Sequence, residues 1–184
     1  MPPLSFITSA IALSLYSVSY FFNNKRNYLI AQMIGNVVFS FSYLFLGAYF
    51  TMVSVIIGIA RALVCFIYEK KDKSVPNLLV IGLCAITVLS YVIINYVILS
   101  QSSTWDFLYL IASCLYTITF AIRNLRIMRF VVTIPHISAI AYNILIKAPF
   151  TSAISYTIEL SVTLVAIVKQ EIQLHSKKRK SANA

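Results

Sequence analysis

Between residues 4 and 168 the chain alternates long apolar runs with short polar breaks. The runs occupy residues 4–22, 28–46, 49–68, 77–99, 107–122, 127–146 and 150–168. The breaks are Asn23-Asn24-Lys25-Arg26-Asn27, Gly47-Ala48, the segment 69–76, the segment 100–106, Arg123-Asn124-Leu125-Arg126 and Lys147-Ala148-Pro149. Most runs approach the ~20 apolar residues that a helix needs to cross a bilayer. The pattern therefore predicts an all-α, polytopic membrane helical bundle of seven transmembrane helices. Only Met-Pro-Pro precedes the first run, without the basic residues of a secretory signal, so that run is expected to persist as a mature helix. Pro76 is expected in the first turn of the fourth helix, where its missing N–H is not needed. Trp105 sits where an interfacial anchor would lie.

The pattern also repeats. At an offset of 100 residues, positions 7–68 and 107–168 share eleven identities, among them Ile11, Ala12, Leu15, Tyr16, Asn24, Arg26 and Ile67 with their counterparts. The segment Ala48-Tyr49-Phe50-Thr51 falls opposite Ala148-Pro149-Phe150-Thr151. Apolar peaks and charged breaks keep the same phase throughout, which points to a duplicated three-helix unit. The expected organisation is a first repeat over 4–68, a linker helix over 77–99, a second repeat over 107–168 and a basic cytoplasmic tail over 169–184. One crossing between the repeats restores their direction, so the two units are expected to run parallel about an axis along the membrane normal.

Composition excludes a soluble domain. The 184 residues are 60% hydrophobic and 11% charged, against roughly 25% charged in soluble domains, too few to clothe a water-facing surface. The net charge of +10 is mainly a topology signal. Thirteen of fifteen Lys and Arg fall on one side, and Lys147 alone on the other, with Arg61 inside a span. Positive residues stay cytoplasmic, so the amino terminus is expected outside and the carboxyl terminus inside. That role also accounts for Lys177-Lys178-Arg179-Lys180 without a nucleic-acid partner, leaving the lipid bilayer and a small molecule as expected partners. Cys65, Cys84 and Cys114 lie within spans at unpaired spacing, which suits neither disulfides nor zinc.

Chemistry at membrane depth is confined to few groups. Arg61 and Glu159 fall in the third and seventh runs at similar depth in the repeat frame, and intramembrane charges face a bundle interior or an aqueous cavity. A charge pair binding substrate at the repeat interface is one reading. A structural bridge, or Arg61 snorkelling to the headgroups, are the others. Asn36 and His136 align beside Gly35 and Pro135, where a kinked or loosened helix suits a binding site, although both could serve as interhelical hydrogen-bonding glue. Tyr43 and Asn143 align near the outer ends, as site residues or ordinary interfacial ones. No phosphate loop, metal pair, nucleophile elbow or intramembrane aspartate pair is present, so neither an enzyme nor a cofactor is expected.

The segment Tyr43-Leu44-Phe45-Leu46-Gly47-Ala48-Tyr49, followed by Gly58-Ile59-Ala60-Arg61-Ala62-Leu63, resembles the YgjV family of bacterial inner-membrane proteins. That family shows an aromatic-x-x-Leu-Gly-x-Tyr turn and then an Asn-x-x-Arg helix; Gly47 and Arg61 match, while Gly58 replaces the asparagine. Tyr142-Asn143 resembles an aromatic-Asn dipeptide in the family's second half. The resemblance implies the bacterial inner membrane, and the three-one-three layout is similar to PnuC-type and SWEET-type transporters. Two function classes follow: a transporter or facilitator of a small polar metabolite with its site between the repeats, or a non-transporting assembly factor, sensor or partner subunit. Short loops, and few ionisable groups to couple an ion, favour a facilitator.

Overall fold

A computed structural model describes residues 3–46, 49–94, 105–145 and 150–182. The described chain is helical, with α1 (Pro3–Ser19), α2 (Lys25–Leu46), α3 (Tyr49–Lys70), α4 (Asn77–Val92), α5 (Asp106–Ala121), α6 (Leu125–Val131), α7 (Thr133–Leu145) and α8 (Phe150–Ala182). The expected turns at 47–48 and 147–149, the end of the fourth span from residue 95 and its loop up to residue 104 lie outside the described residues.

Local chemistry sets the helix ends. Asn24 accepts the backbone N–H of Arg26 at 2.9 Å, and Asn124 accepts that of Arg126 at the same distance. The two asparagines thus cap α2 and α6 in the same way. The last turn of α3 closes as Lys73 donates to the Tyr68 carbonyl and Asp72 to that of Glu69. This double closure needs a left-handed residue at its corner, and Asp72 takes it with φ of 55°. Pro76 stands one residue ahead of α4 rather than inside its first turn. Pro135 breaks the sixth span into α6 and α7 at Val132, because proline has no N–H to give the preceding turn. Its counterpart Gly35 leaves α2 continuous.

Of the seven expected spans, three have described helices long and apolar enough to cross a membrane: Lys25–Phe45, Met52–Lys70 and Leu125–Tyr142. Ile7–Ser19, Asn77–Val92 and Leu110–Ala121 are apolar but shorter. The tail expected after residue 168 continues as helix, so that α8 runs 33 residues.

The helices close into a ring. α1 packs on α2, α2 on α3, α3 on α5, α5 on α7, α7 on α8, and α8 returns to α1. α4 lies outside, against α3 and α5, through a stripe of Leu83, Thr87 and Tyr91 at four-residue spacing. Small residues allow α1 and α2 to approach closely: Ser42 donates to the Ser5 carbonyl at 2.9 Å and meets the Ser9 hydroxyl at 2.6 Å. Polarity is reversed relative to a soluble protein. His136, Thr163, Thr117 and Gln32 are buried, whereas Leu78 is 82% exposed and Ile81, Ile144 and Leu89 are also exposed. Apolar outside and polar inside is the arrangement that a lipid solvent stabilises.

One end of the ring is charged, and there the basic residues act as cross-links. Lys25 meets Glu69 at 3.4 Å, Arg123 meets Asp72, and Arg126 grips Glu171 with two nitrogens. Arg129, 2% exposed, donates to Gln170 Oε1 and to the Phe22 carbonyl at the end of α1. An apolar cluster built on Tyr20, Tyr28, Phe120, Met128 and Val132 floors the interior at this end.

Candidate functional site

The ring encloses a cavity with room for about 100 Å³ of solvent or ligand, enough for several waters. Each of the six helices of the ring contributes to its wall, and neither α6 nor α4 is among its described lining. Three features of the sequence put polar groups there. Tyr16 of α1 and Asn36 of α2 meet, with the hydroxyl donating to Asn36 Oδ1 at 2.9 Å, while the Asn36 amide donates to the Gln32 carbonyl at 2.9 Å. Gln32 in turn donates to Ser19 Oγ at 2.8 Å. Opposite them, Arg61 of α3 reaches α5, where Nη1 donates to Thr117 Oγ1 at 2.9 Å and Ser113 Oγ at 3.2 Å, and also to the Ser113 carbonyl.

Glu159 of α8 supplies the second charge of the wall. Its Oε2 lies 3.1 Å from His136 Nε2. His136 is fully buried; its Nδ1 lies against the Val132 carbonyl at 2.5 Å, and the Tyr20 hydroxyl stands 3.3 Å from Nε2. The proline break creates this position, because Val132 is the residue at which α6 gives way to α7. Aromatic rings hold the imidazole edge-on: Tyr116 at 5.5 Å and Tyr20 at 6.0 Å between centroids.

Of the residues singled out in the sequence, Arg61, Glu159, Asn36 and Tyr43 all line this one cavity, and His136 stands directly behind Glu159. The Asn143 side chain lies outside the described residues. Among the described contacts, Glu159 meets His136, and Arg61 is held by Ser113 and Thr117. Arg61 is 7% exposed, so it points inward and does not snorkel. Tyr16, Tyr20, Tyr28, Gln32 and Tyr116 also shape the wall, and none stands out within an apolar run. The one available signal was the Tyr16–Tyr116 identity across the repeat, since each ring serves the aligned residue of its half, Asn36 or His136.

Two glycines keep the wall open. A Cβ at Gly35 would meet the Tyr16 ring at 2.8 Å, and one at Gly58 would approach Asn36 Oδ1 at 3.3 Å and Arg61 Nη2 at 3.4 Å. Gly35→Ala is expected to push Tyr16 off Asn36 and cost about 1–3 kcal/mol, as overpacking does. Gly82→Ala, which meets nothing within 4 Å, should be tolerated; thermal unfolding of the two variants in detergent compares them.

Neither a curated protein nor a solved structure matches the chain. A family profile described as "Imp-YgjV: Bacterial inner membrane protein" matches residues 4–173. With apolar surfaces outside, a polar cavity within and the match covering nearly all its length, the chain belongs to the YgjV family of bacterial inner membrane proteins.

Proposed function

We propose that this protein is a non-enzymatic facilitator that moves a small polar solute across the bacterial inner membrane. The observation that carries the proposal is the polar cavity inside a ring of apolar-faced helices, with an arginine and a glutamate on its wall. Ionisable residues at membrane depth face a bundle interior or a water-filled cavity, and there they mark substrate and ion pathways. The arrangement is read as two parallel three-helix repeats, α1–α3 and α5–α8, with α4 as the linker between them. In its favour, each contact of one half has a counterpart in the other: α1 on α2 with α5 on α7, α2 on α3 with α7 on α8. Seven crossings with the amino terminus outside follow from this layout and the positive-inside bias. The apolar cluster at the basic end then closes the cavity on the cytoplasmic side.

Two measurements test the reading. Single cysteines introduced at Lys71 and Trp105, in a protein lacking its native cysteines, are expected to react from the inside and the outside respectively; labelling of both from one side refutes the topology. In proteoliposomes, uptake of a solute that stabilises the purified protein is expected to be lost on filling the cavity with Gly58→Leu. Stabilisers that are never taken up point instead to a sensor or partner subunit. That second reading has one feature in its favour: a 33-residue α8 is about 50 Å long, well beyond the ~30 Å hydrocarbon core.

A further inference from the structure

A second, smaller recess opens at the basic end, between the end of α1 and the polar half of α8. It has room for about 50 Å³, and Tyr20 lines both it and the central cavity. The buried Arg129 stands in its wall and the exposed Lys169 at its rim. Asn23, Gln170 and Gln173 add three side-chain amides. Ala166, Gln170 and Gln173 follow one face of α8, and the small alanine leaves space beside the two longer side chains. Lys169 Nζ lies over the Phe21 ring, 5.4 Å from its centroid. This cation–π contact holds the ammonium across the gap between α8 and α1.

The chain has five acidic residues, and none is left for these two cations. Glu69 is engaged with Lys25, Asp72 with Arg123, Glu171 with Arg126 and Glu159 with His136. Asp106 opens the 16-residue α5, about 24 Å of helix from the end that leads into α6. Arg129 is held by the uncharged oxygens of Gln170 and Phe22, and its Nε has no hydrogen-bond partner among the described residues. A buried charge without a counter-charge is costly, and one negative group between Arg129 and Lys169 relieves that cost.

The surroundings say what carries this group. Lys169 is the first residue after the last apolar run, so the recess lies at headgroup level. An apolar groove continues from it along α8, lined by Leu164, Val165, Val168 and Ile172 and sharing Lys169 and Gln173 with the recess. A cationic recess joined to an apolar groove fits a molecule with an anionic head and a hydrocarbon tail. We propose that it is a binding site for one anionic phospholipid. The phosphodiester sits between Arg129 and Lys169, and an acyl chain follows the α8 groove. Room of about 50 Å³ corresponds to roughly three or four water-sized groups, the size of a phosphate's oxygens. The occupant bridges α1 and α8, the contact that closes the ring, whatever the central cavity carries.

The test uses the full chain in mixed micelles of neutral detergent and phosphatidylcholine, titrated with phosphatidylglycerol. The unfolding temperature is expected to rise and saturate, and native mass spectrometry to retain one phosphatidylglycerol per chain. More phosphatidylcholine should give no rise, and neither should glycerol 3-phosphate or inorganic phosphate at the same concentrations. Lys169→Gln is expected to weaken the lipid effect about fivefold, while Lys71→Gln, an exposed lysine at the same end, leaves it unchanged. Gln173→Glu places a carboxylate of the chain itself at the recess. It should raise the unfolding temperature without lipid and remove the gain that phosphatidylglycerol brings. Arg129→Gln should also abolish the gain; if that variant does not fold, the Lys169 and Gln173 variants still decide. Equal losses at Lys169 and Lys71 would mean a diffuse attraction to surface charge and overturn the site. So would a rise that never saturates, an undiminished gain in Gln173→Glu, or no gain at all. Glycerol 3-phosphate or inorganic phosphate matching phosphatidylglycerol refutes the lipid and makes the recess a site for a free phosphate.

Discussion

His136→Ala is expected to destabilise the protein by about 3 kcal/mol, the low end of what removing one member of a buried pair costs. The imidazole fills a fully buried site and serves three partners at once: the Val132 carbonyl, Glu159 and the Tyr20 hydroxyl. Its loss strands the Glu159 carboxyl in the wall, removes the donor that satisfies a carbonyl at the break between α6 and α7, and leaves a cavity among Tyr20 and Tyr116. Glu159→Gln should cost less, about 1 kcal/mol, because the amide can still exchange a neutral hydrogen bond with Nε2. In a double-mutant cycle followed by unfolding in mixed micelles, His136→Ala and Glu159→Ala should couple by about 1–3 kcal/mol. Additive effects would mean that the imidazole and the carboxyl do not act as a pair.

Arg129→Ala is the second large effect. The side chain is almost fully buried and ties three elements together: α6, which carries it, Gln170 of α8, and the terminal carbonyl region of α1 at Phe22. Hydrogen bonds from a charged donor are worth about 1.5–3 kcal/mol each, and the aliphatic stem adds packing that is also lost. A loss of about 3 kcal/mol is expected, with α1 parting from α8 first, visible as faster hydrogen exchange in residues 19–23. Arg123→Ala serves as the contrast. Its partner Asp72 is 84% exposed, and an exposed pair of this kind contributes about 0–1 kcal/mol. If Arg129 and Arg123 behave alike, the basic end contributes topology alone.

These two residues show where reading the chain ran out. Both entered the sequence reading as members of one positive side, since loop charge is counted without regard to direction. Whether a basic side chain turns into the bundle or out to water depends on the rotation of its helix, and an almost uniformly apolar helix has no polar face to reveal that rotation. The same limit hid Tyr16, Tyr20 and Tyr116 among the other aromatics of their runs. Residues that are costly at depth were legible, because only an interior explains them: Arg61, Glu159 and His136 stood out for that reason and meet in one region. Their pairing was not. Alignment across the repeat set Arg61 and Glu159 at similar depth, but depth does not choose a partner; the proline break does, by turning His136 towards α8. The apolar runs located α1, α2, α3 and α5 within a few residues; the sixth run divides into α6 and α7, and α8 has a polar end whose helical structure hydropathy cannot register.

α4 has a consequence of another kind. It touches the ring along Leu83, Thr87 and Tyr91, with Leu79, Val80 and Cys84 beside them, and presents Leu78, Ile81, Ile86 and Leu89 outward. No atom of the cavity wall comes from it. Natural selection therefore sees this helix as a length of oil-soluble rod with one stripe to respect. Changes among its outward leucines, isoleucines and valines are nearly silent, whereas the ring helices answer for both packing and chemistry at adjacent positions.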